Sequence, residues 1–423
     1  MPFRIALSGI DAASTDLEVT GHNIANASTV GFKQSRAEFA DIYANSIQDV
    51  SATTAGRGVR VVRVAQQFSQ GGIDFTSNNL DLAINGEGFF IMADAAGNTS
   101  YTRAGAFGSD RDGYVVNHAG DRVQVFSPIA GTDNFNTGST SDLQLPALSG
   151  PPSATSTVVA SLNLNATESV PGVAFSPTNA ASYNHSTSTT IYDSLGSAHT
   201  QTMYYRKAAP NSWEAYTSID GSIVPLTAAV AGPPAVPAVD AAVINFDNSG
   251  VIVPSSGDIN ATGEVTLTPH PIAGAADITL TFNYSSSTQF GGTFDVNDLS
   301  QDGFSSGRLS GIDIDGTGVV FARFTNGQST ALGKMAMARF SNPQGMRQLG
   351  DTSWAETYTS GDPSIGEAGT SSFGLMQSGA LESSNVDIAE QLVNLITAQR
   401  NFQANAQVIT TADTITQTII NLR

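Results

Sequence analysis

Apolar positions at the two ends of the chain recur at alternating steps of four and three. The first series is Phe3, Leu7, Ile10, Leu17 and Ile24, with Ser14 and Gly21 holding the intermediate places. That spacing lines one face of a helix. Gly31 is the expected stop, and Gly9 and Gly21 each weaken the helix by about 1 kcal/mol relative to Ala. The second series is Ile388, Leu392, Leu395, Phe402, Ile409 and Ile420, with Gln399, Ala406, Asp413 and Thr416 between. Neither Gly nor Pro falls within 385–423, so one helix of about 58 Å fits at ~1.5 Å per residue. Ser383 or Ser384 is the expected cap, with Asp387 in the first turn.

Between these ends the period drops to two. Ile278–Tyr284 and Val319–Phe324 alternate cleanly, and Lys334–Phe340 less so. Arg111–Gln124 reads turn, strand, turn, strand, and Ala83–Met92 is an apolar stretch broken by Asn85-Gly86. Ala228–Ala242 is rich in Ala and Pro and predicts an exposed loop. The fold class is therefore α+β and multidomain, with paired, coiled-coil-like N- and C-terminal helices and nested, mainly antiparallel β domains. The expected boundaries are 1–30 with 384–423 for the inner helical domain and 31–75 with 357–383 for a connecting segment. A discontinuous middle β domain takes 76–146 with 285–356, and an inserted outer β domain takes 147–284.

Charge sharpens this division. The 423 residues hold 18 Lys and Arg against 37 Asp and Glu, a formal charge of −19. Residues 123–307 carry two basic and 14 acidic side chains, so this block holds −12 of the total. An acidic surface repels phosphate backbones, which argues against a nucleic-acid partner. The terminal helices are unusual in the other direction. Residues 385–423 contain 16 Asn, Gln and Thr but five charged side chains, whereas an isolated helix pair normally coats its outer face with Glu and Lys. Such faces suit packing against further copies; the plainer alternative is a solvated helix of odd composition.

Chemistry-bearing residues point to no catalytic or ligand site. The chain has no Cys, which excludes disulfides, thiolate metal sites and a Cys nucleophile. His22, His118, His185, His199 and His270 show no metal-like spacing. Asp313-Ile-Asp315-Gly316 starts like a calcium loop but lacks its later ligands, so a β-turn is expected. Asn85-Gly86-Glu87-Gly88 does not extend to a dinucleotide fingerprint. The six Asn-x-Ser/Thr sites are expected by chance in a chain this rich in Ser and Thr. No enzyme, cofactor or metal is expected, and no apolar run reaches the ~20 residues of a membrane span. The first twenty residues contain no apolar core of a cleavable signal peptide.

Asn23–Lys33 reads NIANASTVGFK. It resembles the signature of the bacterial flagellar axial proteins of the rod, hook and hook-associated group. Its fixed positions are Asn23, Ile24, Ala25, Asn26, Thr29, Gly31, Phe32 and Lys33. Leu80–Phe90, Tyr101–Phe107 (YTRAGAF) and Gln377–Asp387 (QSGALESSNVD), with the helix that follows, resemble further parts of that group. Thr190–Lys207, Leu299–Gly311, Phe324–Leu332 and Phe340–Gly350 resemble its hook branch. The resemblance implies a structural subunit that polymerises into a curved, flexible tube linking rod to filament. Such a tube transmits motor torque as a universal joint in swimming motility. It also implies partners: rod and hook–filament junction proteins at the tube ends, a hook cap during assembly, and the flagellar type III export apparatus. The location implied is extracellular, reached without a cleaved signal peptide. A distal rod protein shares the ends but lacks the long insertion; a secreted β-rich adhesin would explain the acidic middle but not the matched helices.

Two finer expectations follow. Phe39 and Tyr43 fit a Phe-x-x-x-hydrophobic pattern that resembles the export-gate motif of rod- and hook-type subunits, or else pack against each other. Arg57, Arg60 and Arg63 lie among the glycines of a joint-like segment and are expected to meet acidic groups of a neighbouring copy, unless they belong to an ordinary solvated hairpin.

Overall fold

The computed structural model describes residues 2–42, 56–132, 134–146, 149–226, 240–370 and 372–421. They fall into two compact units. One comprises residues 1–147, 310–323 and 329–423; the other comprises 148–309 and 324–328.

The first unit contains both helices, α1 (Pro2–Ala25) and α2 (Ile388–Asn421). They run antiparallel: Asn23 bonds Gln391 at 3.1 Å, and Gly9 lies against Asn405. α1 stops six residues before Gly31. Asn26 N–H turns back to the carbonyls of His22 and Asn23, which closes the helix in a polar turn. α2 is capped by Asp387, whose carboxylate accepts from the backbone N–H of Ala389 at 2.8 Å and of Glu390 at 3.2 Å. The expected caps are thus corrected: Ser383 is tied to the carbonyl of Gly72. An anion at that place also meets the positive end of the helix.

A hairpin of β1 (Ser35–Asp41) and β2 (Val59–Gln66) follows α1 and packs on it, with Val59 N–H donating to Ser8 Oγ. The main sheet places Phe89–Ala93 between Arg122–Pro128 and Thr99–Thr102, antiparallel to both. Phe89, Phe90, Ile91 and Met92 are all buried, because this strand is covered on both faces. Phe90, Met92, Val125, Val320 and Met337 share one core; Phe89, Ile91, Tyr101, Phe340 and Trp354 share another. Asn85-Gly86 closes no hairpin. Leu82–Asn85 pairs instead with Leu375–Ser378, and Ile73–Phe75 pairs with Ala380–Glu382. The returning chain is therefore stitched strand by strand to the outgoing one.

The second unit has a six-stranded and a four-stranded sheet over a common core. The strand Ala198–Ala209 buries Gln201, Met203, Tyr205 and Lys207 at every second place, as a strand with one covered face must. Thr157–Asn163 pairs antiparallel with Asp295–Gln301, which holds that stretch in this unit. The return expected at 285 therefore comes later, after Leu309. Residues 228–239 of the expected loop lie outside the described residues, and Ala241 and Ala242 already belong to the strand Ala241–Phe246. Within 278–284 the regular strand is only Thr281–Asn283.

Candidate functional site

The signature segment folds into a buried junction. Gly31 has φ +69, and a Cβ there would stand 2.5 Å from the backbone N of Ala104. Only Gly allows this approach without strain. Gly31 N–H donates to the carbonyl of Glu382 at 2.8 Å. Phe32 is buried, with its ring centroid 5.5 Å from that of His22. Asn23 clamps the chain as it leaves α1: its carboxamide donates to Ser35 O at 2.7 Å and accepts from Ser35 N–H at 2.9 Å. Asn26 and Thr29 hold the turn through the bond from Thr29 Oγ1 to Asn26 Oδ1.

Lys33 then enters the interior with its side chain 1% exposed, and its Nζ reaches Glu382 Oε1 at 2.5 Å. Glu382 is fully buried and also accepts from Arg103 Nη1 at 3.1 Å and from Gly71 N–H at 3.0 Å. Lys33 donates further to Ser69 O, and Arg103 to Gly86 O. Burial draws the Lys33 amine below the usual lysine range, and the Glu382 carboxylate pulls against that shift. Three stretches distant in sequence, 23–33, 101–107 and 377–387, thus meet at one set of charges. The arrangement holds no nucleophile and base in open water, and its chemistry is that of a latch.

The helix pair is the second element of the site. Its seam is built from Ala6, Gly9, Ala13, Thr20 and Asn23 of α1 and from Gln391, Ala398 and Asn405 of α2. Small residues let the backbones approach. Large apolar side chains remain in solvent around that seam: Phe3, Ile5 and Leu7 on α1, and Ile388, Leu392, Val393, Ile396, Phe402, Val408, Ile415 and Ile420 on α2. A cavity of about 630 Å³, lined by Phe3, Val408, Ile415 and their neighbours, opens along the same helices.

Known families converge on this arrangement. Residues 3–33 match a family model described as flagella basal body rod protein, and 377–422 match the flagellar basal body rod FlgEFG protein C-terminal model. Residues 83–162 match the flagellar hook protein FlgE/F/G D1 domain, and 163–304 match the flagellar basal body protein FlaE D2 domain. The flagellar hook protein FlgE of Salmonella typhimurium is 36% identical over 426 residues, with all of both chains covered. The chain belongs to the flagellar hook protein family. The hook protein of Escherichia coli is likewise 36% identical over full length, and that of Borreliella burgdorferi 32% identical, covering 99% of this chain and 98% of its own. The crystal structure of Helicobacter pylori flagellar hook protein FlgE2 shares the fold at TM-score 0.54. It is 16% identical and covers 73% of this chain and all of its own. Full-length hook relatives do not favour the distal-rod and adhesin readings. The family is a structural one.

Phe3, Leu7, Ile10, Leu17 and Ile24 do not form the seam within the hook-family chain. The stripe one residue earlier in the sequence does, a rotation of about 100° around the helix. Ile10, Leu17, Ile24, Leu395 and Ile409 are half-buried beside it; Phe3, Leu7, Ile388, Leu392, Phe402 and Ile420 are exposed. Among the signature residues, Asn23, Gly31, Phe32 and Lys33 meet at the junction, Ile24 is half-buried, and Ala25 is exposed where the helix ends. Phe39 lies exposed on β1, and Tyr43 lies outside the described residues. Arg63 Nε pairs with Glu38 of its own chain at 2.7 Å, so this arginine already has an internal partner. Arg57 and Arg60 are exposed on the same hairpin. Sequence reasoning missed Arg103, Glu382 and the small-residue stripe. Arg103 and Glu382 each lie in a stretch that resembles the family, Tyr101–Phe107 and Gln377–Asp387, and the small-residue stripe was legible as Ala6, Gly9 and Ala13 at helical spacing. Among the described residues no helix is long and apolar enough to cross a membrane, and no group of three or more His, Asp or Glu gathers as a metal site.

Proposed function

We propose that this chain is the building unit of a flagellar hook. Its copies assemble into a curved, flexible tube that couples rod to filament and carries motor torque. The observation that carries this reading is the row of exposed apolar side chains along both helices. Fully burying one such side chain is worth about 1.5–3 kcal/mol, and a contiguous exposed row marks an association surface. Neighbouring copies bury it. The junction of Lys33, Arg103 and Glu382 serves as the rigid base of each unit. The acidic second unit has few basic side chains with which to lock contacts, so its polar surfaces slide as the tube bends. Arg57 and Arg60 meet acidic groups of an adjacent copy. The chain has no catalytic role.

The same reading supplies partners and location. Rod proteins and hook–filament junction proteins meet the tube ends, a cap guides growth, and the chain leaves the cell through the flagellar export apparatus. Phe39 and Tyr43 serve that apparatus before folding. The position is outside the cell.

Electron microscopy of the purified chain tests the reading. Flexible tubes from the full chain, lost on deleting residues 2–25 while the second unit keeps its fold, are the expected result. Tubes that persist without α1 would remove the role given to the helices.

A further inference from the structure

Away from the helices, Tyr358 stands fully exposed, at 101% of its reference accessibility. It is not on a loose loop. Thr357 Oγ1 donates to Gly345 O at 2.5 Å, Thr359 Oγ1 donates to the same carbonyl, and Ser360 N–H returns to Thr357 O. A rigid base therefore presents an aromatic ring to water. Tyrosine loses little side-chain entropy on docking, and such residues dominate association energies.

The same unit carries a cavity of about 210 Å³ beside the Thr29–Val30 turn of the signature segment. Cavities of about 150 Å³ admit a benzene ring. Val30, Ala104 and Ala106 supply apolar lining, and Asn117, His118 and Asp351 supply polar atoms. That combination suits a phenol, apolar along its body and polar at its tip. One wall is strained: Asp351 and Thr352 have φ 50 and 53, and Thr102 Oγ1 donates to Thr352 O at 2.8 Å to hold them. A β-branched residue in the left-handed region is a genuine outlier, of the kind found at ligand clamps.

We propose that Tyr358 of one copy seats in this cavity of a second copy. The proposal rests on the self-assembly reading and adds a contact outside the helices. A knob and a socket at different places on one chain can join copies head to tail, and such a contact repeated without closing a ring gives a helical filament.

The absence of Cys in the parent chain permits a clean test. Full-length chains carrying Tyr358→Cys and Ala106→Cys together are assembled and treated with a short bismaleimide spacer of about a tyrosine side chain's length. A ladder of covalent multimers on a denaturing gel, absent from each single variant, is expected. Intact tubes that stay monomeric on that gel would overturn the contact. If the double variant does not assemble, Tyr358→Ala decides. Tubes that dissociate at a lower temperature than the parent's, or no tubes from a monomer with an unchanged melting curve, support the contact. Dissociation at the parent's temperature overturns it. A parent chain that forms no tubes would overturn the self-assembly reading itself, and this contact with it.

Discussion

Lys33 Nζ lies 2.5 Å from Glu382 Oε1, both side chains essentially out of solvent and 349 positions apart in the chain. Glu382 sits six residues before α2 and Lys33 eight residues after α1. The pair therefore fixes where the two helices leave the β body.

Breaking that pair is expected to be costly. Lys33→Met leaves the buried Glu382 with Arg103 as its one remaining cationic partner, and the loss is about 3–5 kcal/mol. Denaturant unfolding followed by tryptophan fluorescence checks it, since Trp354 belongs to the core of this unit. Adding Glu382→Leu to Lys33→Met leaves the buried Arg103 without its carboxylate, so the double variant is expected to lose less than the sum of the two singles but to gain nothing over Lys33→Met. A double variant as unstable as the sum of the singles would show that the two charges do not act together.

Gly31→Ala places a methyl against the backbone of Ala104 and forces a positive φ on a residue that resists it. The expected loss exceeds about 1 kcal/mol, because the clash is with backbone that cannot rotate away. Gly21→Ala is the control: nothing lies within 4 Å of a Cβ there, and the helix is expected to gain. Thermal melts of the two variants should move in opposite directions.

Leu7→Ser and Ile415→Ser alter side chains that are 51% and 56% exposed. The monomer's melting temperature should stay nearly constant while tube formation falls steeply. Sedimentation of assembled material against a melting curve of the soluble chain separates the two effects.

Arg60→Glu is expected to weaken assembly without destabilising the monomer, since Arg60 is exposed. Arg63→Glu should also lower monomer stability slightly, because it opposes like charge to Glu38. Exposed pairs are worth at most about 1 kcal/mol, so tube yield at low and high salt is the more sensitive measure. Unchanged assembly in Arg60→Glu at every salt concentration would sink the proposed arginine contact.

The second unit carries a pH dependence of defined sign. His199 Nδ1 lies 2.6 Å from Asp220 Oδ2, and its other ring nitrogen faces Asp193 at 3.5 Å. The Asp220 hydrogen bond, aided by Asp193, raises the His199 pKa above its ordinary 6.5. The stabilisation is therefore full below pH 6.5 and disappears as pH rises through the raised value. His185, stacked on Phe294, is shifted down by burial and acts oppositely, favouring the fold as pH rises toward 6.5. Comparing the parent with His199→Gln isolates the first effect: the variant should lose stability at pH 6 and little at pH 9. Equal losses at both would remove the charge-based account.

Much of this protein was determined by local sequence. The two helices follow from apolar spacing near 3.6 residues and from the lack of Gly and Pro in 385–423. The strand Val319–Phe324 follows from alternation. Within the signature segment, the need for backbone freedom at Gly31 also follows from local sequence. Tertiary structure decided the rest. Helical spacing offers adjacent stripes about 100° apart, and only the presence of α2 shows that the small one, through Ala6, Gly9 and Ala13, takes the seam. The large apolar stripe is then left for other copies. No local rule pairs Lys33 with Glu382 or Thr157–Asn163 with Asp295–Gln301, because such pairings depend on what the whole chain can bury at once. Local periodicity specifies faces; which face meets which is set by long-range packing, and that is known only once the chain has closed on itself.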